Sequence, residues 1–316
     1  MSEVRIQPAS QTLVPGETAR IPIRIVLDEP LKVRGLHATF HGAEETTATV
    51  TTYNAATKST QTHTVVEHVD IVKTEYLLSG RERQGFFSNV ADAFATLLGG
   101  GEHDVLDPGE YTFEIELTVP ADARPSFEGG KCRVFYELSV IVDIPLARDM
   151  KALESFQVRG PSTDADRPAP APVRTRFPDD QERGLLDSWF GPEIRGEAAL
   201  SRDAFVAGET IEGILLLETP EPLEHRGINV RLISVESSTA QGHTAAHVHQ
   251  TEPVPITPAG TIDDRFSQQF RLPVSLPGPV TTNGERFTID CFVQVEIDVP
   301  WAKDPKLRIP VTLHEA

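Results

Sequence analysis

Three histidines in the second half of the chain have the spacing that most nearly suggests a metal site. They are His243, His247 and His249, in the pattern H-x-x-x-H-x-H, and His225 precedes them. On a β-strand, His247 and His249 would project from the same face, where two imidazoles could bind zinc or nickel. The spacing matches no established metal motif, so the alternative is a set of exposed polar residues. We adopt that alternative and expect no metal and no cofactor.

The sequence carries no signature of catalysis. There is no G-x-S-x-G elbow, no G-x-x-x-x-G-K-[ST] phosphate loop and no C-x-x-C pair. Carboxylates are abundant, but almost all alternate with apolar residues, which is typical of the solvated face of a β-sheet. We therefore predict that the protein is not an enzyme.

The two cysteines, Cys132 and Cys291, fall in opposite halves of the chain. Neither half can form a disulfide of its own, so reduced thiols in a cytoplasmic protein are the simplest account. Residues 1–6 lack the apolar core of a signal peptide, and no apolar run approaches the length of a membrane span. We expect a cytoplasmic location and no integral membrane segment.

The charge balance narrows the choice of partner. The chain has 316 residues and a formal net charge of -18. Nucleic acid and anionic membrane surfaces both attract clustered Lys and Arg, so the net charge argues against both as partners. A basic partner or a salt-rich habitat would suit this charge, but plain solubility is the explanation that we prefer. Arginine outnumbers lysine and alanine is frequent, which suggests a bacterial genome.

The sequence repeats itself at the scale of a domain. Residues 14–44 align without a gap with residues 206–236, an offset of 192 positions. Residues 143–149, Asp-Ile-Pro-Leu-Ala-Arg-Asp, resemble residues 298–304, Asp-Val-Pro-Trp-Ala-Lys-Asp. The pairs that are identical in the longer window include Gly16/Gly208, Pro30/Pro222, Arg34/Arg226, Gly35/Gly227 and Glu44/Glu236. A repeat of this length indicates two similar modules in tandem, which we place at residues 1–159 and 184–316.

Alternating side chains predict β-strands in both modules. The strand predicted over residues 111–119 has apolar residues on one face and Thr and Glu on the other. Further strands are predicted at residues 19–25, 36–40, 134–144, 211–217, 228–235, 266–272 and 289–299. Each module then has about seven or eight short strands, the pattern of an antiparallel β-sandwich.

One segment has helical periodicity instead. Phe86, Val90, Phe94 and Leu98 fall four residues apart and end at a run of three glycines. We predict a short helix over residues 86–98 that packs on the first sandwich, with contact to a partner or a membrane as the alternative.

The segment of residues 160–183 is rich in proline and charge and reads as an exposed linker. Leu185, Leu186, Trp189 and Phe190 follow it, and we expect this apolar cluster at the junction of the two modules.

Several runs resemble the arrestin-like proteins. Residues 34–42 look like an early strand of that family, and residues 108–120 continue its pattern. The most specific match is Pro125-Ser126-Phe127-Glu128-Gly129, which precedes a strand containing Tyr136. Residues 206–213 are similar to the start of the second arrestin domain. The resemblance is closest to the alpha-arrestin-like branch and its prokaryotic relatives, which include sporulation-control proteins.

This resemblance implies an all-β fold of two arrestin-type sandwiches and a non-enzymatic adaptor or scaffold that binds proteins of unknown identity. We expect the contacts at exposed sheet edges and loops, with the strand of residues 19–25, Phe86, Phe87, Trp189 and Phe190 as the candidates. The alternatives are a carbohydrate- or small-molecule-binding sandwich and a regulator of the sporulation or stress type.

Overall fold

A computed structural model of the chain describes residues 2–55, 57–80, 104–160, 170–177 and 194–314. These residues form β-strands and turns, and no helix is present among them. The helix predicted over residues 86–98 lies outside the described residues.

The chain divides into two compact units. The first unit contains Met1–Thr46, Val66–Glu128 and Cys132–Asp164. The second unit contains Thr47–Val65, Gly129–Lys131 and Ala165–Ala316.

Eleven strands fall in the first half of the described chain, and two of them are much longer than the sequence predicts. The strands are β1 (Glu3–Ile6), β2 (Thr12–Leu13), β3 (Thr18–Leu27), β4 (Leu31–Val33), β5 (Gly35–Asn54), β6 (Ser59–Gly80), β7 (Asp104–Leu106), β8 (Gly109–Thr118), β9 (Phe127–Glu128), β10 (Cys132–Asp143) and β11 (Met150–Val158). The prediction that the strands are all short is wrong for β5 and β6, which have 20 and 22 residues.

Eleven strands also fall in the described part of the second half. They are β12 (Val173–Phe177), β13 (Arg195–Leu200), β14 (Ala204–Val206), β15 (Thr210–Glu218), β16 (Leu223–Ala240), β17 (His243–Gln250), β18 (Val254–Ile262), β19 (Arg265–Pro273), β20 (Thr282–Asn283), β21 (Phe287–Asp298) and β22 (Lys306–His314). Strand β12 lies inside the segment for which the sequence predicts a linker.

The strands of the first half form one small sheet, one large sheet and a two-stranded pair. The small sheet has the order β1-β3-β8, and the large sheet has the order β2-β11-β10-β5-β6, with β9 added beside β10. Strand β4 pairs with β7. Strand β3, for which we predicted a binding edge, is hydrogen-bonded to β1 on one side and β8 on the other. Because β1 pairs only with Ile23–Val26, that part of β3 is not a free edge, and binding of a partner by residues 19–25 stays a prediction.

In the second unit, two sheets enclose one hydrophobic core. The four-stranded sheet has the order β12-β13-β15-β19. The larger sheet has the order β14-β22-β21-β16-β17, with β18 also beside β16 and β20 beside β21. Leu215 of β15 and Val293 of β21 are both fully buried members of a single cluster that draws on both sheets. The alternation predicted for residues 211–217, 266–272 and 289–299 is confirmed.

The two halves pair their strands in the same register. In the first half, Arg20 of β3 lies opposite Glu116 of β8. The shift of 192 positions maps Arg20 onto Glu212 of β15, and the shift between residues 143–149 and 298–304 maps Glu116 onto Arg271 of β19. Glu212 and Arg271 also lie opposite each other. Both pairs form salt bridges, with the acid and the base exchanged between the strands.

The same mapping relates the long central strands. Gly42 of β5 lies opposite Tyr136 of β10, and Ser234 of β16 lies opposite Cys291 of β21. Tyr136 is buried, and a Cβ atom added to Gly42 would lie 2.3 Å from its ring. The two halves therefore fill the same place in the core with different pairs of residues. The first half combines the large side chain of Tyr136 with Gly42, which has no side chain, and the second half combines the two small side chains of Ser234 and Cys291.

Candidate functional site

The inward face of the longest strands changes from apolar to polar along their length. In β5, Phe40 is buried and so is Glu44, which is four positions further along the same face. In β16, Leu232 is followed in the same way by Glu236. Glu44 is 1% exposed and Glu236 is 0% exposed. Because a buried carboxylate requires compensation by hydrogen bonds or charge, these two positions mark the polar sites of each half.

Glu44 is compensated by a cation. The guanidinium Nη1 of Arg124 lies 2.5 Å from Oε1 of Glu44. Tyr136 donates a hydrogen bond from its hydroxyl to the backbone oxygen of Arg124 at 2.8 Å. Burial raises the pKa of Tyr136, so this hydroxyl keeps its proton and can hold the backbone of Arg124 in place.

Glu236 is compensated by backbone amides and an imidazole. Its Oε1 accepts a hydrogen bond from the N–H of Gly130 at 2.9 Å, and its Oε2 accepts one from the N–H of Lys131 at 2.8 Å. The Nε2 atom of His249 forms a hydrogen bond with Oε1 of Glu236. Burial raises the pKa of Glu236, but the bonds from Gly130, His249 and Lys131 outweigh it and lower the pKa. Glu236 is therefore an anion held by three donors within the second unit.

Two of the three predicted histidines, His247 and His249, lie beside this carboxylate. His247 lies opposite Glu236 in the β16–β17 register, and the rings of His247 and His249 are 4.5 Å apart. Each imidazole ring packs closely against a glycine. A Cβ atom added to Gly130 would lie 2.6 Å from the ring of His247, and one added to Gly278 would lie 2.6 Å from the ring of His249.

The third histidine of the cluster lies apart from this pair. His243 is at the hairpin turn, opposite Ala240, so the structure brings two of the three predicted residues together. His225 is a separate buried residue of β16, and burial lowers its pKa.

The arrangement does not resemble a metal centre. Among the described residues, no group of three His, Cys, Asp or Glu could hold a metal ion. Both carboxylate oxygens of Glu236 are engaged by donors inside the unit, so the pair with His249 is built to hold the surrounding chain together.

A second pair of equivalent positions lies at the surface. The β10–β11 and β21–β22 connections each contain a turn, closed by hydrogen bonds from Ala147 to Ile144 at 3.5 Å and from Ala302 to Val299 at 3.4 Å. The third residue of each turn has a positive φ, 60° at Leu146 and 62° at Trp301. With proline before it, this geometry is that of a type II turn, in which Gly or Asn is the usual third residue.

Both turns expose a large apolar side chain. Leu146 is 107% exposed and Trp301 is 102% exposed, relative to a fully exposed residue of the same type. An aspartate stabilises the first residue of each turn. Asp149 accepts a hydrogen bond from the N–H of Ile144, and Asp304 accepts one from the N–H of Val299, both at 3.1 Å. Each tip is thus held by a hydrogen bond at the base of its turn and is open to solvent.

The sequence reasoning missed these two tips. The echo between residues 143–149 and 298–304 was the available signal, since both runs place an apolar residue between Pro and Ala. The residues that we predicted to bind proteins, Phe86, Phe87, Trp189 and Phe190, lie outside the described residues.

The Pro125–Gly129 motif also has a structural role. Ser126 donates its N–H to the backbone oxygen of Val158, and its hydroxyl accepts the N–H of Val158, both at 2.8 Å. The serine thereby fixes the end of β11 against the segment that precedes β10.

Comparison with protein families identifies a match to the first half of the chain. Residues 3–164 match the family model described as Arrestin (or S-antigen), N-terminal domain. No curated protein matches the chain. In the part of the chain that the structure describes, no helix is long and apolar enough to cross a membrane.

Proposed function

The chain belongs to the arrestin family, and on that premise we propose that it is a non-enzymatic, cytoplasmic adaptor or scaffold built of two arrestin-type sandwiches. It binds other proteins through loops at the ends of its sheets. The observation that carries the proposal is the pair of apolar turn tips, Leu146 and Trp301. A basic residue, Arg148 or Lys303, follows each tip by two positions.

The backbone of each tip favours a functional role over a structural one. An L-residue in the left-handed region is destabilised by roughly 1–2 kcal/mol relative to the right-handed region. Glycine would avoid this at either position, and glycine is the residue that such a turn favours. Strained positions of this kind are concentrated at binding sites.

The exposure of these two apolar side chains to water is a second free-energy cost, and binding to a partner would relieve it. Leu146 and Trp301 contact water over their whole surface. Burying such a side chain in a partner contributes about 1.5–3 kcal/mol. Tryptophan is also among the residues enriched in the energetic centres of protein interfaces. The adjacent cation favours a partner pocket with an acidic rim.

A carbohydrate- or small-molecule-binding protein is the second candidate. A groove of about 770 Å³ crosses the second unit, with Ile214, Ile256 and Phe270 among its lining residues. The ion pair of Glu212 and Arg271 lies at its side. Its described lining residues include no exposed aromatic ring, so it lacks the stacking platform typical of sugar sites. A thermal-shift screen with monosaccharides and small acids tests this candidate.

The main experiment replaces both tips with glycine. The Leu146→Gly/Trp301→Gly variant removes the strain and the apolar side chains together, so its melting temperature should be equal to or above that of the wild type. Cross-linked co-purification from a native lysate should return protein partners with the wild type and lose them with the variant.

The control is Leu153→Thr, which removes an exposed apolar side chain from β11, where the backbone is ordinary strand. It should leave the captured partners unchanged. Partners that persist undiminished with the double glycine variant would refute the role of the tips. A wild type that captures none at several salt concentrations would refute the adaptor function itself.

A further inference from the structure

The outer face of the four-stranded sheet in the second unit is rich in arginine. Arg176, Glu197 and Leu216 lie opposite one another on β12, β13 and β15 and so share this face. Leu215 and Leu217, on the other face of β15, belong to the core, so the arginines point outward. The charged residues of the outer face are Arg174, Arg176, Arg195, Arg265 and Arg271 with Glu197, Glu212 and Glu218. The face therefore has an excess of positive charge, although the net charge of the chain is -18.

In the ion pairs on this face, the arginine is more exposed than the glutamate. Glu197 is shared by Arg174 and Arg176, and its side chain is 26% exposed, whereas theirs are 74% and 88% exposed. On the opposite edge of the sheet, the side chain of Arg271 is 79% exposed and that of Glu212 is 59% exposed. Because the guanidinium groups extend further into solvent than the carboxylates, a partner that approaches this face meets positive charge first.

The equivalent face in the first half has the opposite charge balance. There, β1, β3 and β8 present more glutamates than arginines, namely Glu3, Glu110, Glu114 and Glu116 with Arg5, Arg20 and Arg24. The two faces share one strand register, as the equivalence of the Arg20–Glu116 and Glu212–Arg271 pairs shows. The fold therefore does not require a basic face, which favours a binding role for the arginines of the second half.

The arginines border an apolar stripe whose dimensions match a helix. The edge strands β12 and β19 carry all but one of the arginines, and the central strands β13 and β15 contribute Ala199, Ile214 and Leu216 between them. Leu216 is 41% exposed. The two edges are roughly 14 Å apart, since neighbouring strands are about 4.8 Å apart. An α-helix with its side chains is about 10–12 Å wide and fits between them. Along β19, Arg265 and Arg271 are about 20 Å apart, the length of a helix of about 13 residues.

We propose that this face binds an amphipathic helix of a partner protein that carries Asp and Glu on both flanks of its apolar stripe. The apolar side chains of the helix pack on Ile214 and Leu216, and its carboxylates bind the guanidinium groups at the two edges through charge-assisted hydrogen bonds. The groove that reaches the face at Ile214 accepts one large apolar side chain. Leu146 and Trp301 take no part, so the proposal goes beyond the adaptor function proposed for those tips.

The charge of the chain favours a helix over larger anions. A membrane surface or a long nucleic acid would extend beyond this face and meet the acidic surface of the rest of the chain, whereas a helix contacts the face alone. A phosphate backbone also offers no apolar side chains to the stripe. Repulsion between the helix and the rest of the chain is limited, because physiological salt screens charges that are more than about 8 Å apart.

The test measures binding of a designed peptide to the full-length chain by fluorescence anisotropy. The labelled peptide has about 16 residues, since shorter helices are marginal in water, with a leucine stripe and glutamates on both flanks. At about 0.15 M salt, where long-range repulsion is screened, the wild type should bind it saturably. A peptide with lysine in place of glutamate should not bind, and neither should a peptide of the same composition in scrambled order.

Charge reversal on the two edges should weaken this binding. Arg174→Glu/Arg271→Glu changes one arginine on each side of the stripe and should raise the dissociation constant at least about tenfold. The matched control is Arg5→Glu/Arg20→Glu, which makes the same change on the equivalent face of the first half and should bind the peptide like the wild type. Both variants alter the net charge equally, so the difference between them reports the face itself.

A second pair of variants tests the apolar stripe. Leu216→Thr keeps a strand-forming residue but shortens the apolar side chain, and should raise the dissociation constant at least about threefold. Leu153→Thr, at an exposed leucine of β11, should leave it unchanged. The Leu146→Gly/Trp301→Gly variant should bind the peptide like the wild type, which separates this proposal from the one that concerns the tips.

Several results would overturn the proposal. They are a wild type that does not bind the peptide, equal binding of the lysine or the scrambled peptide, and undiminished binding by Arg174→Glu/Arg271→Glu or by Leu216→Thr. Tighter binding of phosphatidylserine vesicles or single-stranded DNA than of the peptide would also overturn it, because the face would then belong to another class of anion.

Discussion

Glu44 and Glu236 occupy the same position in the two halves and are compensated in different ways. Both are buried on the inward face of a long central strand. Glu44 faces the guanidinium of Arg124, which is always charged. Glu236 faces two backbone amides and the imidazole of His249. The position of the carboxylate follows from strand alternation, whereas its partner comes from whichever loop or strand lies beside it.

The buried carboxylate is therefore common to the two halves, whereas the groups that compensate its charge are not. A guanidinium supplies one ion pair through a long side chain. Two consecutive amides bind the carboxylate through the backbone of Gly130 and Lys131 and so fix the path of that segment. Glu236 therefore organises main chain, and Glu44 organises a side chain.

The largest effect is expected from removing either carboxylate. Glu236→Ala should lower the free energy of unfolding by about 3–5 kcal/mol, because it leaves buried donors unpaired. Glu44→Ala should cost less, because Arg124 is partly exposed and can turn to water. Urea unfolding of the full-length variants measures both.

Glutamine at each position is the matched control for this pair. It keeps the volume and one acceptor, so each Gln variant should fall between its Ala variant and the wild type. Equal losses for Glu44→Ala and Glu236→Ala would remove the distinction between the two sites.

The next effect concerns the core position that differs between the halves. Gly42→Ser would drive a side chain into the ring of Tyr136 and should cost about 1–3 kcal/mol through overpacking. Adding Tyr136→Cys recreates the Ser234–Cys291 combination of the second half and should recover part of the loss in thermal unfolding. Strict additivity of the two changes would show that the sites do not share this space.

The fold was largely predictable from alternation and repetition. Residues 111–119 and 134–144 alternate cleanly, and they form β8 and β10. The continuation of β5 beyond His41 was not predicted, because its inward positions become Gly42, Glu44 and Thr46. Polar residues on the inward face remove the apolar period on which the prediction rests.

The candidate site was predictable only in part. The spacing of His247 and His249 gives them a common face only if they lie on a strand, and the structure supplies that strand, β17. The carboxylate of Glu236 was not predicted, although Glu44 is in phase with the apolar residues Leu36, Ala38 and Phe40, and the repeat aligns Glu44 with Glu236. The amides of Gly130 and Lys131 come from a loop more than one hundred positions away, which no local pattern reports.

Acid should reveal the contribution of Glu236 as a smaller effect. The pKa of Glu236 is lower in the folded state, so the folded state binds fewer protons there. Its contribution is complete above about pH 4.3, the ordinary value of a glutamate, and is lost as the pH falls further. Urea unfolding between pH 6 and pH 3 should therefore show a steeper loss for the wild type than for Glu236→Gln.

Glu45 must be separated from this effect. The bond from Arg133 lowers the pKa of Glu45 and outweighs the effect of burial, so Glu45 titrates in the same direction. It is present in both proteins, and the difference between them isolates Glu236. Identical slopes would mean that Glu236 does not titrate on unfolding in this range.

The smallest effect is expected at an arginine that both halves share. Arg34 lies 2.6 Å from Asp143, which is mostly buried, whereas Arg226 lies 3.6 Å from Asp298. Arg34→Ala should cost about 0.5–1 kcal/mol and Arg226→Ala close to nothing, since exposed ion pairs contribute little. A larger loss at Arg226 than at Arg34 in urea unfolding would contradict this ranking of the two ion pairs.

The burial of both native thiols makes the chain a convenient background for site-directed labelling. Among the described residues, Cys132 and Cys291 form no disulfide and are buried, and burial raises the pKa of Cys291. Maleimide dyes react with accessible thiolate, so the folded protein should resist them. A cysteine introduced at Leu146 or Trp301 would then carry a single fluorophore or spin label, and its signal would report events at that turn alone.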